Sequence, residues 1–181
     1  QEHLLDEYRS LHGLETVVLG PGVIFGPGGG AFSNRVGIGA MGLFFSLGRG
    51  APLPLTYVDN CADAIACAAL RGVDGQAYNV VDDDIPTCAQ YLRAYRRRVG
   101  KLRVVPVPYP LFLLGARVLL RYHQWSKGQL PAVFTPYVVR SMYRRFDYPN
   151  DKLKAIGWQQ RVATEAGLER AFEDLASRAG Q

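Results

Sequence analysis

The stretch VVLGPGVIFGPGGGA, residues 17–31, decides how the chain is read. The apolar run ETVVL, from Glu15 to Leu19, predicts a short buried strand, and it leads directly into glycines and prolines. Gly26-Pro27-Gly28-Gly29-Gly30-Ala31 matches the letters G-x-G-x-x-G/A of a dinucleotide-phosphate loop. Such a loop needs its first glycine at the strand end and its third opening a helix, with an acid roughly 20 residues on for the ribose. Counting from Gly20, which does follow the strand, the third position is Phe25. Counting from Gly26, the following run is studded with Gly37, Gly39 and Gly42, and no Asp or Glu occurs between Glu15 and Asp59. The stretch is therefore not a phosphate cradle. No Gly-Lys-Ser/Thr and no G-x-S-x-G follows either, so the chain carries no self-contained catalytic motif.

Working outward, Leu4, Leu5, Tyr8 and Leu11 recur at helical spacing and predict a helix over about 2–11, stopped by Gly13. Residues 31–47, with glycines among Val36, Ile38, Leu43 and Phe44, predict a loosely helical, mobile segment. Leu53 to Val58 predicts a strand. A helix follows, N-capped by Asp59 or Asn60, with Asp63 in its first turn and Gly72 at its end. AYNVV, from Ala77 to Val81, predicts a strand, and Pro86 suits position N1 of a helix running to about Val99. A strand from Arg103 to Val107 precedes helices at about 111–122, 133–144, Asp151 to Ile156 and Thr164 to Ser177. Alternating strands and helices make the class α/β, with a more helical second half.

The 181 residues suffice for one domain, with 48% hydrophobic and 20% charged residues. Cys61, Cys67 and Cys88 are odd in number and lack metal or C-x-x-C spacing. Together with the scattered His3, His12 and His123 they point to no metal site, and to a reducing, cytoplasmic setting. Asp82-Asp83-Asp84 reads as a solvated turn at a strand end. The net charge is +5, with bases concentrated between Arg93 and Lys154 and with Arg93, Arg96 and Arg97 at helical spacing. This reads as a solvated basic face, or as a surface for an anionic partner. No nucleic-acid module accompanies it. Pro110 to Leu120 is too short an apolar run to span a membrane and is broken by Arg117. Residues 110–122 form a core or interface helix, or one that touches a membrane surface.

Four separated segments together resemble one family. GLETVVLGPGVIFGPG, from Gly13 to Gly28, is similar to the strand and Pro-x-x-(Val/Ile)-(Tyr/Phe)-Gly-Pro-Gly loop of the extended short-chain dehydrogenase/reductases. PLTYVDNCADAIACAAL, 54–70, resembles that family's Y-V-D/E-D/N helix start. GQAYNVVDDDIPT, 75–87, resembles its G-x-x-Y-N-(V/I) strand. KLKAIGWQQRVATEAGLERAFE, 152–173, resembles its terminal K-x-x-x-LGW…T-x-x-E-GL signature.

The resemblance implies the C-terminal part of a Rossmann-type parallel sheet plus a mostly helical substrate-binding cap. Residues 1–181 would be a single incomplete domain lacking the N-terminal cofactor-binding half. The cofactor would be NAD or NADP and the ligand a small-molecule substrate. The catalytic Tyr-x-x-x-Lys would lie upstream of Gln1, with Glu2 as the Glu that commonly follows the Lys. The whole protein would be a homodimer. Pro21, Gly22 and Val23 match the loop that approaches the nicotinamide, and Phe32 and Asn34 fall where the substrate-facing segment begins. Gly20 replaces an Arg often found before the loop Pro, and GRGAPLPLTYV, with Arg49 displaced, has no Arg at the place that helps hold a sugar-nucleotide diphosphate. Those departures argue against a sugar-nucleotide substrate, and the Y-V-D-N start, the apolar PLFLLGARVLL and the late RRFDYPNDKLKAIGW resemble more the 3β-hydroxysteroid-dehydrogenase-like branch. A non-catalytic dinucleotide-sensing relative and a membrane-surface module are the alternatives. The isolated chain is expected to be inactive and to fold poorly, because one sheet edge and one helix face lose their partners.

Overall fold

A computed structural model describes residues 2–126 and 134–179. By Cα packing the chain forms two compact units. Unit 1 comprises residues 1–29, 54–85 and 147–171, and unit 2 comprises 30–53, 86–146 and 172–181.

Unit 1 is built on parallel strand pairs. β1 (Val18–Pro21) pairs with β6 (Ala77–Val80), and β2 (Val23–Phe25) pairs with β5 (Leu55–Tyr57). The predicted strand at 15–19 thus starts three residues later and runs through Pro21, since Pro21 at its end needs no ladder N–H. α2 (Val58–Arg71) follows β5 without a gap, and its alanines let it lie close on the strands: Ala64 and Ala68 are buried. Ala64, Tyr78, Val80, Leu153 and Trp158 form the core of this unit, with Leu19, Cys67 and Ile156 at its margin. α6 (Asp151–Ala155) delivers Leu153 to that core, and α7 (Thr164–Ala179) begins in this unit. α1 (Glu2–His12) is tied on by Arg9, which pairs with Asp74 at 2.8 Å. Its Leu4, Leu5, Tyr8 and Leu11 remain exposed.

Unit 2 corrects the expectation for residues 31–47. They form no helix but an antiparallel hairpin, β3 (Gly37–Ala40) with β4 (Leu43–Ser46). Met41 and Gly42 both take positive φ, 51° and 73°, the geometry of a two-residue hairpin turn that matches strand twist. The glycines that weaken a helix are tolerated in this ladder, and Phe44 and Ser46 alternate inward. β7 (Val104–Pro106) extends the sheet, parallel to β4.

α3 (Cys88–Arg98) starts two residues later than Pro86 at N1 would require. Thr87 is its N-cap in a reciprocal capping box: its Oγ1 accepts from Gln90 N at 3.3 Å, and the Gln90 side chain accepts from Thr87 N at 2.7 Å. Thr87→Ala is expected to lower stability by about 1 kcal/mol, read from the denaturant midpoint; no shift in that midpoint would contradict the cap.

α4 (Tyr109–Trp125) and α5 (Pro136–Tyr143) pack through Leu113, Ala116 and Val139. The predicted start of the latter helix at Val133 lies outside the described residues, as do Gln1 and the Glu2 side chain. Phe32, Phe44, Tyr91, Tyr95 and Phe172 make an aromatic cluster in the same unit.

Candidate functional site

The chain changes strand partner at Gly22. Pro21 is opposite Val80 in the β1–β6 ladder, and Val23 is opposite Leu55 in the β2–β5 ladder. Gly22 N–H donates to Val80 O at 3.0 Å and lies 3.2 Å from Thr56 Oγ1, while the Thr56 hydroxyl donates to Val80 O at 2.5 Å. Val23 N–H donates to Pro54 O at 2.6 Å. A Cβ on Gly22 would collide with the Pro54 carbonyl oxygen, so only glycine fits between these strands. The C-terminal ends of parallel strands are where open α/β sheets place ligands.

Pro21, Gly22 and Val23 are thus contiguous at this junction, Pro21 exposed and the other two half-buried. The N–H groups of Gly22 and Val23 are committed to the sheet, and Pro21 has none. What the three present to a ligand is a close, rigid, largely apolar wall rather than a set of amide donors. Phe32 and Asn34 belong to unit 2. The Phe32 ring packs 4.5 Å from both Phe44 and Tyr95, and Asn34 is exposed.

Gly26 to Gly29 form a tight turn, Gly29 N donating to Gly26 O at 3.1 Å with Gly28 at φ 81°. The chain then enters the hairpin, so these glycines do not open a helix as a dinucleotide-phosphate loop does.

Beside the junction lies a buried polar hub that the sequence pattern does not announce. The N-cap of α2 is Tyr57, neither Asp59 nor Asn60, and it has no side-chain cap. Its N–H is taken instead by Asp82 Oδ2 at 3.1 Å, from the end of β6. Asp82 is 1% exposed, which corrects its reading as part of a solvated turn. A carboxylate serves the positive end of α2 from another element. Asn60 Nδ2 donates to Asp82 Oδ1 at 2.9 Å and to Val162 O at 2.8 Å, and Asn60 Oδ1 accepts from Arg161 N and Val162 N at 3.2 and 3.0 Å. Trp158 Nε1 donates to Asn60 O at 3.2 Å. Burial pushes the Asp82 carboxyl up, against the Asn60 and Tyr57 donors that pull it down.

Asp83 is held differently: burial raises it, but Lys154 at 2.6 Å and Asn150 Nδ2 at 2.8 Å outweigh this and lower it. Asp63 falls past the first turn of α2 and pairs with Arg161 at 3.0 Å. The usable signal for the hub is the VVD run: an acid directly after two buried β-branched residues leaves a strand at its buried end.

Burial disfavours the ionised form of several nucleophilic side chains among the described residues. Burial pushes the Cys88 thiol up to about 11, and burial followed by the Asp82 charge raises Cys61. Burial also raises the Tyr91 phenol, which donates to Ala31 O at 2.7 Å. The sole Tyr-x-x-x-Lys spacing in the sequence, Tyr148 to Lys152, precedes and enters α6 rather than sitting on one helix. Lys152 Nζ is engaged by Gln76 Oε1 at 2.8 Å.

No family model and no curated protein sequence matches the chain. Solved structures do. The protein RMD of Pseudomonas aeruginosa, solved with NADPH, superposes with a TM-score of 0.65 at 16% identity, over 98% of this chain and 53% of its own. UDP-glucose 4-epimerase of Thermus thermophilus, solved with NAD, gives 0.62 at 20% identity, over 96% and 50%. UDP-glucuronic acid 4-epimerase of Bacillus cereus, solved with NAD, gives 0.65 at 13% identity, over 99% and 50%. The chain spans about half the length of each. It therefore has the Rossmann-type fold of these NADPH- and NAD-bound structures, over a stretch equal to about half of one of them.

Proposed function

We propose that these residues are the C-terminal portion of an extended short-chain dehydrogenase/reductase. It would use NAD or NADP for hydride transfer at an alcohol or ketone carbon of a sugar nucleotide or a hydrophobic substrate. The observation that carries this is the change of strand partner at Gly22, at the C-terminal end of β1, within a fold shared with structures solved with NADPH or NAD. The exposed apolar face of α1 also supports it, because such a face belongs against further protein.

The residues fit one end of the cofactor only. Pro21 and Val23 form a wall for the nicotinamide end, and Gly22 lets the strands close behind it. No helix follows Gly26 to Ala31 directly, so residues outside this chain would hold the phosphates. The cofactor supplies the hydride chemistry. A Tyr-x-x-x-Lys pair preceding Gln1 supplies the acid/base step. Phe32 and Asn34 open the substrate side of the cap.

The test uses the protein extended by the residues that precede Gln1 in its reading frame. The extended protein is expected to bind NADH or NADPH, and Pro21→Asp to weaken binding about tenfold, roughly 1.4 kcal/mol, by titration of nucleotide fluorescence. The 181-residue chain alone should show no turnover. An extended protein with no cofactor binding would sink the reading.

A further inference from the structure

Charge is divided unevenly between the two units. Unit 2 contains fifteen Arg and Lys against two acids, Glu173 and Asp174, a formal +13 in a chain whose total is +5. Unit 1 holds six bases and fourteen acids, a formal −8. No Asp or Glu occurs from Ile85 to Phe146.

Within that acid-free span lies an amphipathic helix facing outward. On α4, Leu111, Leu114, Val118, Tyr122 and Trp125 fall at i, i+3, i+7, i+11 and i+14, one stripe about 80° wide at 3.6 residues per turn. They are 62%, 57%, 61%, 42% and 80% exposed. The opposite side of the helix, with Leu113 and Ala116, is buried against Val139. Arg117 and Arg121 flank the stripe one turn apart. With Leu114 and Val118 they line a concavity of about 460 Å³. Neither arginine forms an ion pair among the described residues.

Charge complementarity selects the occupant. A second copy presenting the same face would bring a +13 unit against a +13 unit. A nucleic acid would engage the arginines and leave five large apolar side chains in water. A bilayer with anionic headgroups meets both demands: phosphates for Arg117 and Arg121, acyl chains for the leucines and valine, and the boundary region for Tyr122 and Trp125. The exposed apolar face of α1 lacks this match, since Glu7 lies among its residues and unit 1 is acidic. Among the described residues no helix is long and apolar enough to cross a membrane, so contact would be in the interface plane.

We propose that α4 docks unit 2 on an anionic lipid surface, with the Leu111-to-Trp125 stripe inserted and Arg117 and Arg121 on headgroup phosphates. This goes beyond the cofactor reading of the β1–β2 junction and does not depend on it.

The two tryptophans make the test direct, because Trp125 is 80% and Trp158 2% exposed. The protein is mixed at low salt with vesicles of phosphatidylcholine alone, or with about a third phosphatidylserine. Co-sedimentation and a blue shift of tryptophan emission are expected with the anionic vesicles only. R117Q/R121Q should lower the partition coefficient about 25-fold, roughly fivefold per arginine. Trp125→Ser should abolish the shift and weaken sedimentation. Absence of sedimentation with anionic vesicles, or binding that R117Q/R121Q leaves unchanged, overturns the proposal. So does an equal shift with a DNA oligonucleotide. Failure of iodide to quench Trp125 before vesicles are added also overturns it, because the face would then already be covered by a second copy or by further protein.

Discussion

Asn60→Ala is expected to lower stability by about 3–5 kcal/mol, the range seen when a buried network around a charge loses its hub. The side chain is fully buried and joins three segments: the start of α2, the end of β6 and the loop before α7. Its removal leaves the amides of Arg161 and Val162 without their acceptor. It also deprives the Asp82 carboxylate of the Asn60 donor, leaving Tyr57 N–H as its only donor among the described residues. The Asp82 carboxylate is the fully buried member of this set, and an orphaned buried group costs about 1–3 kcal/mol, more when charged; the Arg161 and Val162 amides are part-buried and add less.

The pH dependence of that loss has a definite sign. The folded Asp82 carboxyl already sits above its ordinary value, chiefly through burial, so the folded state takes up this proton at a higher pH than the unfolded chain does. The stability it contributes is present below the unfolded pKa and is lost as pH rises through the folded pKa. Removing the Asn60 donor raises that folded pKa further. The deficit of the variant should therefore shrink as pH falls through the range where Asp82 takes up its proton. Urea midpoints of the two proteins across that range check it; a deficit below about 1 kcal/mol at neutral pH would show that the hub contributes little.

The second large effect is expected at Gly22. Gly22→Val forces a branched Cβ into the Pro54 carbonyl and within 3.2 Å of Thr56 Oγ1. Backbone cannot yield there without parting β2 from β5, so a loss of about 3 kcal/mol or more, or insoluble protein, is expected. Gly22→Ala should fall between the two. Pro21→Ala, at an exposed position, is the control and should stay within about 1 kcal/mol. A Gly22→Val protein as stable as the parent would mean that the strands do not approach as closely as described. In the extended protein the same substitution should weaken cofactor binding through displacement of the Val23 wall, whereas Asn60→Ala in its folded fraction should not.

Much of the architecture is legible in the sequence because its causes are local. The apolar periodicity of residues 2–12, the alanine-rich run of α2, the Tyr-Asn-Val strand and the terminal Leu-Glu-Arg helix all appear within a residue or a few of their expected places. The departure at 31–47 has an equally local cause. Glycines at alternate positions suggest a loosened helix, but Met41-Gly42 flanked by Ala40 and Leu43 is the turn of a hairpin. Pro86 suits the first turn of α3, yet Thr87 with Gln90 three residues on is the capping-box pattern, and it sets the boundary.

By itself, the sequence determined the α/β class, the order of most elements, and the exclusion of Gly26 to Ala31 as a phosphate cradle. It did so through short-range rules of period, cap and turn. It also determined the charge imbalance, which composition along the chain already contains. The tertiary structure alone decided what surrounds the junction. Gly22 is required by a carbonyl of Pro54, more than thirty residues away in sequence, and not by any torsion of its own. Asp82 and Asn60 meet across 22 residues, and Asn60 meets Val162 across 102. No local pattern records which distant backbone group will be left without a partner when strands and helices close together. That need for every buried polar group to be satisfied turned an apparent helix cap and an apparent surface acid into the hub beside the candidate site.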